Sequence, residues 1–131
     1  MNSILLVDDE AAICVELQRT LQELGYQVEV AHTFEAALGS IREARFGAII
    51  VEFNLRSENT GHPRTGGGIR LIQDLRKSGT RISILVYTVM EGETYRTASL
   101  DAGADDFILK KTPISGFFSR LREHIMMSGA A

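Results

Sequence analysis

Charged and hydroxyl-bearing side chains follow four apolar runs of this sequence, each at the residue where the run stops. Asp8 and Asp9 follow the first run, Glu52 the second, Thr88 the third and Lys110 the fourth. If these runs are parallel strands, their carboxyl ends meet at one edge of a sheet, where such sheets bind ligands. Carboxylates that converge there repel one another unless a cation lies between them, and oxygen ligands suit Mg²⁺ or Mn²⁺. A hydroxyl and an ammonium group beside them are what a phosphoryl oxyanion requires.

The rest of the sequence predicts the elements that position these residues. Continuous apolar runs, typical of strands buried on both faces, occur at 4–7, 48–51, 82–87 and 107–109. Val28 and Val30 alternate with polar residues, as in a more exposed strand. Helical spacing of apolar residues predicts helices from Ala11 to about Gly25, after Thr33, and at about 67–78, 91–102 and 114–127. This alternation predicts an α/β fold, a (βα)5 doubly wound parallel sheet with helices on both faces.

The first two helices carry further signals in the sequence. The first is expected to bury Ile13, Leu17, Leu21 and Leu24 along one face. Gly25 stands where a left-handed residue ends a helix, and Thr33 is a candidate cap for the second helix.

The composition limits both the number of domains and the kinds of partner. With 131 residues, the chain is expected to form one domain, residues 1–131. The 14 basic and 17 acidic side chains give a net charge of −3. The sequence contains no run of Lys or Arg, so direct binding to nucleic acid or to membranes is not expected. The single cysteine, Cys14, cannot form an internal disulfide, which favours a reducing cytoplasm. No apolar stretch approaches the roughly 20 residues of a membrane span.

Four segments together resemble the receiver domain of two-component response regulators. They read LLVDDE at 5–10, EFNL at 52–55, VYT at 86–88 and GADDFILK at 103–110. The resemblance covers essentially the whole chain, in order and at near-family spacing. It implies a flavodoxin-like fold with strand order 2-1-3-4-5 and a role in phosphorelay signalling.

The resemblance also implies roles for individual residues. In such domains an aspartate at the end of the third strand accepts a phosphoryl group from a sensor kinase's phosphohistidine, with Mg²⁺ bound by the acidic pair. By position, the phosphoacceptor is Glu52, the metal ligands are Asp8, Asp9, Glu52 and the backbone carbonyl of Asn54, the phosphoryl contacts are Thr88 and Lys110, and the switch residues are Thr88 and Phe107. Phe107 has no hydroxyl to tether it outward, so an inward, resting rotamer is expected.

Several residues depart from the family pattern. Glutamate replaces aspartate at position 52, and one extra methylene moves the carboxylate by roughly 1.5 Å. A displacement of about 1 Å costs on the order of 10²-fold in rate, so ordinary phosphotransfer is not expected. Lys111 replaces the proline that usually follows Lys110, so a trans peptide is expected there, and Val89 replaces a smaller residue.

The segment from Arg56 to Gly66 is longer than the family's loop. It is polar and has no apolar anchor, so we expect it to be mobile, either as a lid or docking element or as an inert insertion. Gly66, Gly67 and Gly68 lack the Lys-Ser/Thr pair of a phosphate-binding loop. They are interpreted as a flexible approach to the next helix.

The favoured function is a receiver module that works without ordinary Asp phosphorylation and acts through protein–protein interaction, without enzymatic activity. Its expected partners are a sensor histidine kinase or a downstream output protein, together with a homodimer through the fourth helix, fifth strand and fifth helix. A weakened magnesium site and a cytoplasmic location are expected with it. Two alternatives stay open: a Mg²⁺-dependent phosphatase-like hydrolase, and a receiver still phosphorylated on Glu52.

Overall fold

Five strands and five helices alternate along the chain in a computed structural model, which describes residues 2–59, 61 and 63–130, with side chains described as far as residue 127. The strands are β1 (Ser3–Val7), β2 (Gln27–Ala31), β3 (Ala48–Val51), β4 (Ser83–Thr88) and β5 (Asp106–Leu109). The helices are α1 (Ala11–Glu23), α2 (Phe34–Glu43), α3 (Gly67–Lys77), α4 (Glu93–Ala102) and α5 (Ile114–Ala130). Within these described residues, no helix is long and apolar enough to cross a membrane.

The strands form one parallel sheet in the order β2-β1-β3-β4-β5. Val7 pairs with Ala31 on one side and with Val51 on the other, so the three strands end at the same level. The order reverses between β1 and β3, which is the point where such sheets bind ligands. The doubly wound flavodoxin-like fold and its strand order are therefore confirmed.

Each face of the sheet is covered by its own set of helices. One core cluster joins alternate strand residues such as Leu5, Val51 and Val86 to α2, α3 and α4. The other joins residues of opposite parity, such as Leu6 and Ile50, to α1 and α5. Because successive strand side chains point to opposite faces, a strand buried on both faces has a continuous apolar run rather than an alternating pattern.

The helix signals in the sequence are confirmed in part. Gly25 has a φ of 96°, the left-handed conformation expected after a helix. Thr33 caps α2, since its hydroxyl accepts a hydrogen bond of 3.1 Å from the backbone N–H of Ala36. The stripe of α1 is shifted by one residue, because Cys14 rather than Ile13 is buried with Leu17 and Leu21. Leu24 follows the last turn and is 54% exposed.

Polar contacts hold the segment between β3 and α3. The Phe34 amide donates to the carbonyl of Arg56 at 3.0 Å, and the Ser57 hydroxyl donates to the Glu35 carboxylate at 2.5 Å. The Glu58 amide also donates to Glu35, at 2.7 Å. The hydrogen bond from Ser57 lowers the pKa of Glu35. Backbone and carboxylate groups supply these contacts, while Thr60 and His62 of the segment lie outside the described residues.

Candidate functional site

A buried ion-pair triad lies at the carboxyl edge of the sheet. The ammonium of Lys110 lies 2.7 Å from Asp8 Oδ2 and 2.9 Å from Glu52 Oε1. The three side chains are 8%, 3% and 5% exposed, respectively. Backbone pairing places them, because the amide of Glu52 donates to Val7 and that of Lys110 donates to Thr88, each continuing a strand pair by one residue.

The two carboxylates of the triad keep the Lys110 side chain in its charged form. Burial alone would lower the pKa of Lys110, since it disfavours the charged form. Hydrogen bonds to Asp8 and Glu52, and the charges of these carboxylates, outweigh burial and raise the pKa above its ordinary value. The peptide bonds of the described residues are all trans, including the one after Lys110, and the lysine still points into the site.

The second carboxylate of the acidic pair has a different cation. Arg64 donates two hydrogen bonds to Asp9, from Nε to Oδ2 at 2.9 Å and from Nη2 to Oδ1 at 3.0 Å. The backbone N–H of Arg56 also donates to Asp9 Oδ2, at 3.0 Å. Both oxygens of Asp9 are therefore engaged by the segment between β3 and α3.

Asp8, Glu10 and Glu52 form an acidic cluster at the site. Each offers one carboxylate oxygen, and these oxygens all lie within 4.8 Å of one another. Among the described residues, Glu52 Oε2 is a buried oxygen with no hydrogen-bond partner. An all-oxygen set with one unpartnered oxygen fits the ligand chemistry of Mg²⁺. Lys110 and Arg64 pair with the neighbouring carboxylate oxygens.

Two glycines let α3 begin directly beneath the site. A Cβ on Gly67 would lie 2.0 Å from the carbonyl oxygen of Leu55, and one on Gly68 would lie 2.1 Å from that of Glu52. The side chain of Asn54 accepts a hydrogen bond of 2.9 Å from the amide of Gly66. These glycines thus provide close backbone packing against the strand end that carries Glu52, rather than flexibility.

Thr88 and Phe107 are both buried. Thr88 is fully buried, and its hydroxyl accepts a hydrogen bond of 3.2 Å from the amide of Met90. Phe107 is 7% exposed and belongs to the core cluster beneath α2, α3 and α4. Val89, which replaces a smaller residue of the family, is 63% exposed. The aromatic ring therefore lies inside the molecule, as expected for a residue without a hydroxyl.

The model of the response regulator receiver domain matches residues 4–122 of this chain. The chain belongs to the response regulator receiver family. It is a receiver domain of a two-component response regulator, and the match spans all five strands and the triad at their carboxyl edge.

Relatives of this receiver domain are found among curated proteins and solved structures. It is 35% identical to the response regulator MprA of Mycobacterium avium over 91% of the chain, and to that of Mycobacterium tuberculosis H37Rv to the same extent. The chain spans about half the length of these curated relatives, 49% and 48%. The BeF3-activated receiver domain of Klebsiella pneumoniae RstA superposes with a TM-score of 0.85 at 25% identity, covering 95% of this chain and 98% of that one. A CheY-like receiver from Methanospirillum hungatei JF-1 gives the same score and identity over 99% and 98%.

Sequence reasoning about this receiver missed Arg64 and Glu10. Glu10 directly follows the acidic pair, and its amide donates to Asp8 Oδ1 at 2.9 Å. The signal for Arg64 was the charge balance, because three acidic residues at the predicted site, Asp8, Asp9 and Glu52, faced one lysine. A second cation was to be expected nearby, and the neighbouring 56–66 segment contains two arginines, Arg56 and Arg64.

Replacing Gly68 by alanine is expected to destabilise this receiver by about 1–3 kcal/mol or more, because the new methyl group meets the backbone of Glu52. Gly39→Ala is the matched control, since a Cβ on this helical glycine of α2 meets nothing within 4 Å. That variant should gain about 0.5–1 kcal/mol. Urea unfolding of both variants measures the difference, and equal effects would show that close packing does not require Gly68.

Proposed function

We propose that this receiver transmits its signal through protein–protein contacts and without ordinary Asp phosphorylation. The observation that carries the proposal is the buried ion pair between Glu52 Oε1 and Lys110 Nζ, at 2.9 Å. Glu52 stands at the phosphoacceptor position. Its carboxylate supplies negative charge at the point where a phosphoryl group would otherwise supply it. One carboxylate supplies one charge, whereas a phosphate group brings about two. The bias that Glu52 imposes on the conformation is therefore partial.

A weakened magnesium site is part of the proposal. Asp8, Glu10 and Glu52 would hold the ion, with Asp9 and the backbone carbonyl of Asn54 as the further ligands that the family resemblance implies. Bound Mg²⁺ would neutralise the carboxylates of the site. Lys110 already supplies part of that neutralisation to Asp8 and Glu52, which reduces what the metal adds.

The proposed output surface consists of α4, β5 and α5. On this surface Asp106 contacts Arg120 and His124, with 3.0 Å from its Oδ2 to Arg120 Nε and to His124 Nε2. Burial would raise the pKa of Asp106, but the hydrogen bonds from Arg120 and His124 outweigh it and lower the pKa. The proposed partners are a sensor histidine kinase, a downstream output protein or a second copy of the chain through this surface.

The proposal also includes a single domain over residues 1–131 and a cytoplasmic location.

The contacts at the site favour signalling over hydrolysis. A phosphatase-like hydrolase needs a free carboxylate nucleophile at the end of β1. Asp8 is paired with Lys110, and both oxygens of Asp9 are paired with Arg64. This arrangement supports a module without enzymatic activity.

The charge on Glu52 and the ring of Phe107 are expected to be coupled. Glu52→Gln removes the charge at nearly constant shape, and amide hydrogen exchange then reports on α4 and β5 without added metal. We expect a loss of protection of about 0.5–2 kcal/mol there, because the charge no longer favours one of the two states. The loss should shrink when the same change is made in a Phe107→Leu background.

The exposed Glu43, at the end of α2, provides the matched control. Glu43→Gln makes the same chemical change away from the site and should leave α4 and β5 unaffected. If Glu52→Gln has the same effect in both backgrounds, the two positions are not coupled and the proposal is wrong. Sedimentation of the wild type, Glu52→Gln, Phe107→Leu and the double variant measures self-association through the proposed surface.

A further inference from the structure

We propose that Arg64 sets the affinity of this site for divalent cations, as an internal counter-ion that a metal must displace from Asp9. The inference rests on the metal-binding part of the proposed function. Arg64 lies in the 56–66 segment, outside the four segments that carry the family resemblance.

The contact between Arg64 and Asp9 is directed rather than incidental. Planar guanidinium groups bind carboxylates through two parallel hydrogen bonds, and Arg64 makes both. The Asp9 side chain is 6% exposed, whereas that of Arg64 is 56% exposed. The arginine therefore covers the carboxylate from the solvent side.

The backbone around Arg64 is held in position by a second arginine. Arg70, on α3, donates to the carbonyl oxygens of Pro63 at 2.8 Å and of Thr65 at 3.4 Å. The amide of Gly67 donates to the carbonyl of Arg64 at 3.0 Å. Because both neighbours of Arg64 are fixed, less conformational entropy is lost when its side chain pairs with Asp9. Arg70 thus acts as a positioning residue.

Arg64 reduces the net negative charge at the site that would attract a metal ion. Asp8, Glu10 and Glu52 against Lys110 leave two net negative charges, and the pair of Asp9 with Arg64 adds none. Without Arg64, the same groups carry three net negative charges and Asp9 Oδ1 is available as a ligand. Glu52 Oε2, buried and without a partner among the described residues, can bind a cation without losing a hydrogen bond.

Calorimetric titration with Mg²⁺ and with Mn²⁺ tests this inference. Arg64→Gln is expected to bind both ions about tenfold more tightly than the wild type, because a nearby positive charge is removed and Asp9 is freed. Arg64→Lys keeps the charge without the paired hydrogen bonds and should lie between the two. The control is Arg45→Gln, at an exposed residue before β3 and at the opposite edge of the sheet, which should change the affinity less than about twofold.

Each outcome of the titration decides the question. Tighter binding in Arg64→Gln alone supports the inference. Equal affinities in the wild type and Arg64→Gln overturn it, and so does the absence of binding in both at millimolar metal. An equal gain in Arg45→Gln also overturns it, because net charge would then explain the effect. The exchange experiment on Glu52 and Phe107 is done without metal, so its outcome is independent of this one.

Discussion

Replacing Lys110 by methionine is expected to lower the free energy of unfolding by about 3–5 kcal/mol at neutral pH. Methionine keeps much of the apolar length of lysine but leaves Asp8 and Glu52 buried and facing each other without a cation. Two uncompensated carboxylates at this depth repel each other and have lost their hydration. The loss should shrink in Mg²⁺, which stabilises the folded state by mass action.

The neighbouring residue provides the control for this variant. Lys111 is 72% exposed and pairs with Glu91 on the surface. Lys111→Met removes the same charge but should cost less than about 1 kcal/mol, the range of exposed ion pairs. Chemical denaturation of both variants measures the contrast. Similar losses from both would show that the triad does not stabilise the fold.

The pH dependence of the wild type follows from the same triad. The pKa of Lys110 is higher in the folded protein than its ordinary value of 10.5. The stabilisation is therefore fully present below that value and is lost as the pH rises through the higher folded-state pKa. The difference in unfolding free energy between wild type and Lys110→Met should thus stay constant from neutral pH to about 10 and fall above it.

Most of the fold could be predicted from the sequence because burial imposes its own pattern. Strands covered on both faces contain continuous apolar runs, such as 84–86 in β4, whereas the edge strand β2 alternates, at Val28 and Val30. The strand order could not be read from this periodicity and came with the family resemblance. The buried face of α1 was displaced by one residue, because Cys14 and Ile13 are both apolar enough to occupy it.

The site was predictable as far as the sheet determines it. Asp8, Glu52 and Lys110 each directly follow a strand, so parallel pairing alone brings them together. Arg64 was not predictable in this way, because it pairs with Asp9 across 55 residues and from a segment without regular structure. Its position depends on side-chain contacts such as those of Arg70, which no local pattern in the sequence encodes.

Phosphorylation of the wild-type protein is expected to be on the order of 10²-fold slower than that of the Glu52→Asp variant. Glutamate carries its carboxylate about one methylene farther than aspartate, which displaces the attacking oxygen from an in-line geometry. Glu52 Oε1 is also held by Lys110 at 2.9 Å, and this contact must be given up before Lys110 can bind a phosphoryl oxygen. In Glu52→Asp, the shorter side chain leaves room for a phosphoryl group beside Lys110.

Intact-mass spectrometry after incubation with acetyl phosphate and Mg²⁺ tests whether Glu52 accepts a phosphoryl group. We expect no appreciable phosphoryl adduct on the wild type, an adduct on Glu52→Asp at residue 52, and none on Glu52→Gln. Stoichiometric, Mg²⁺-dependent labelling of the wild-type protein at Glu52 would contradict this expectation.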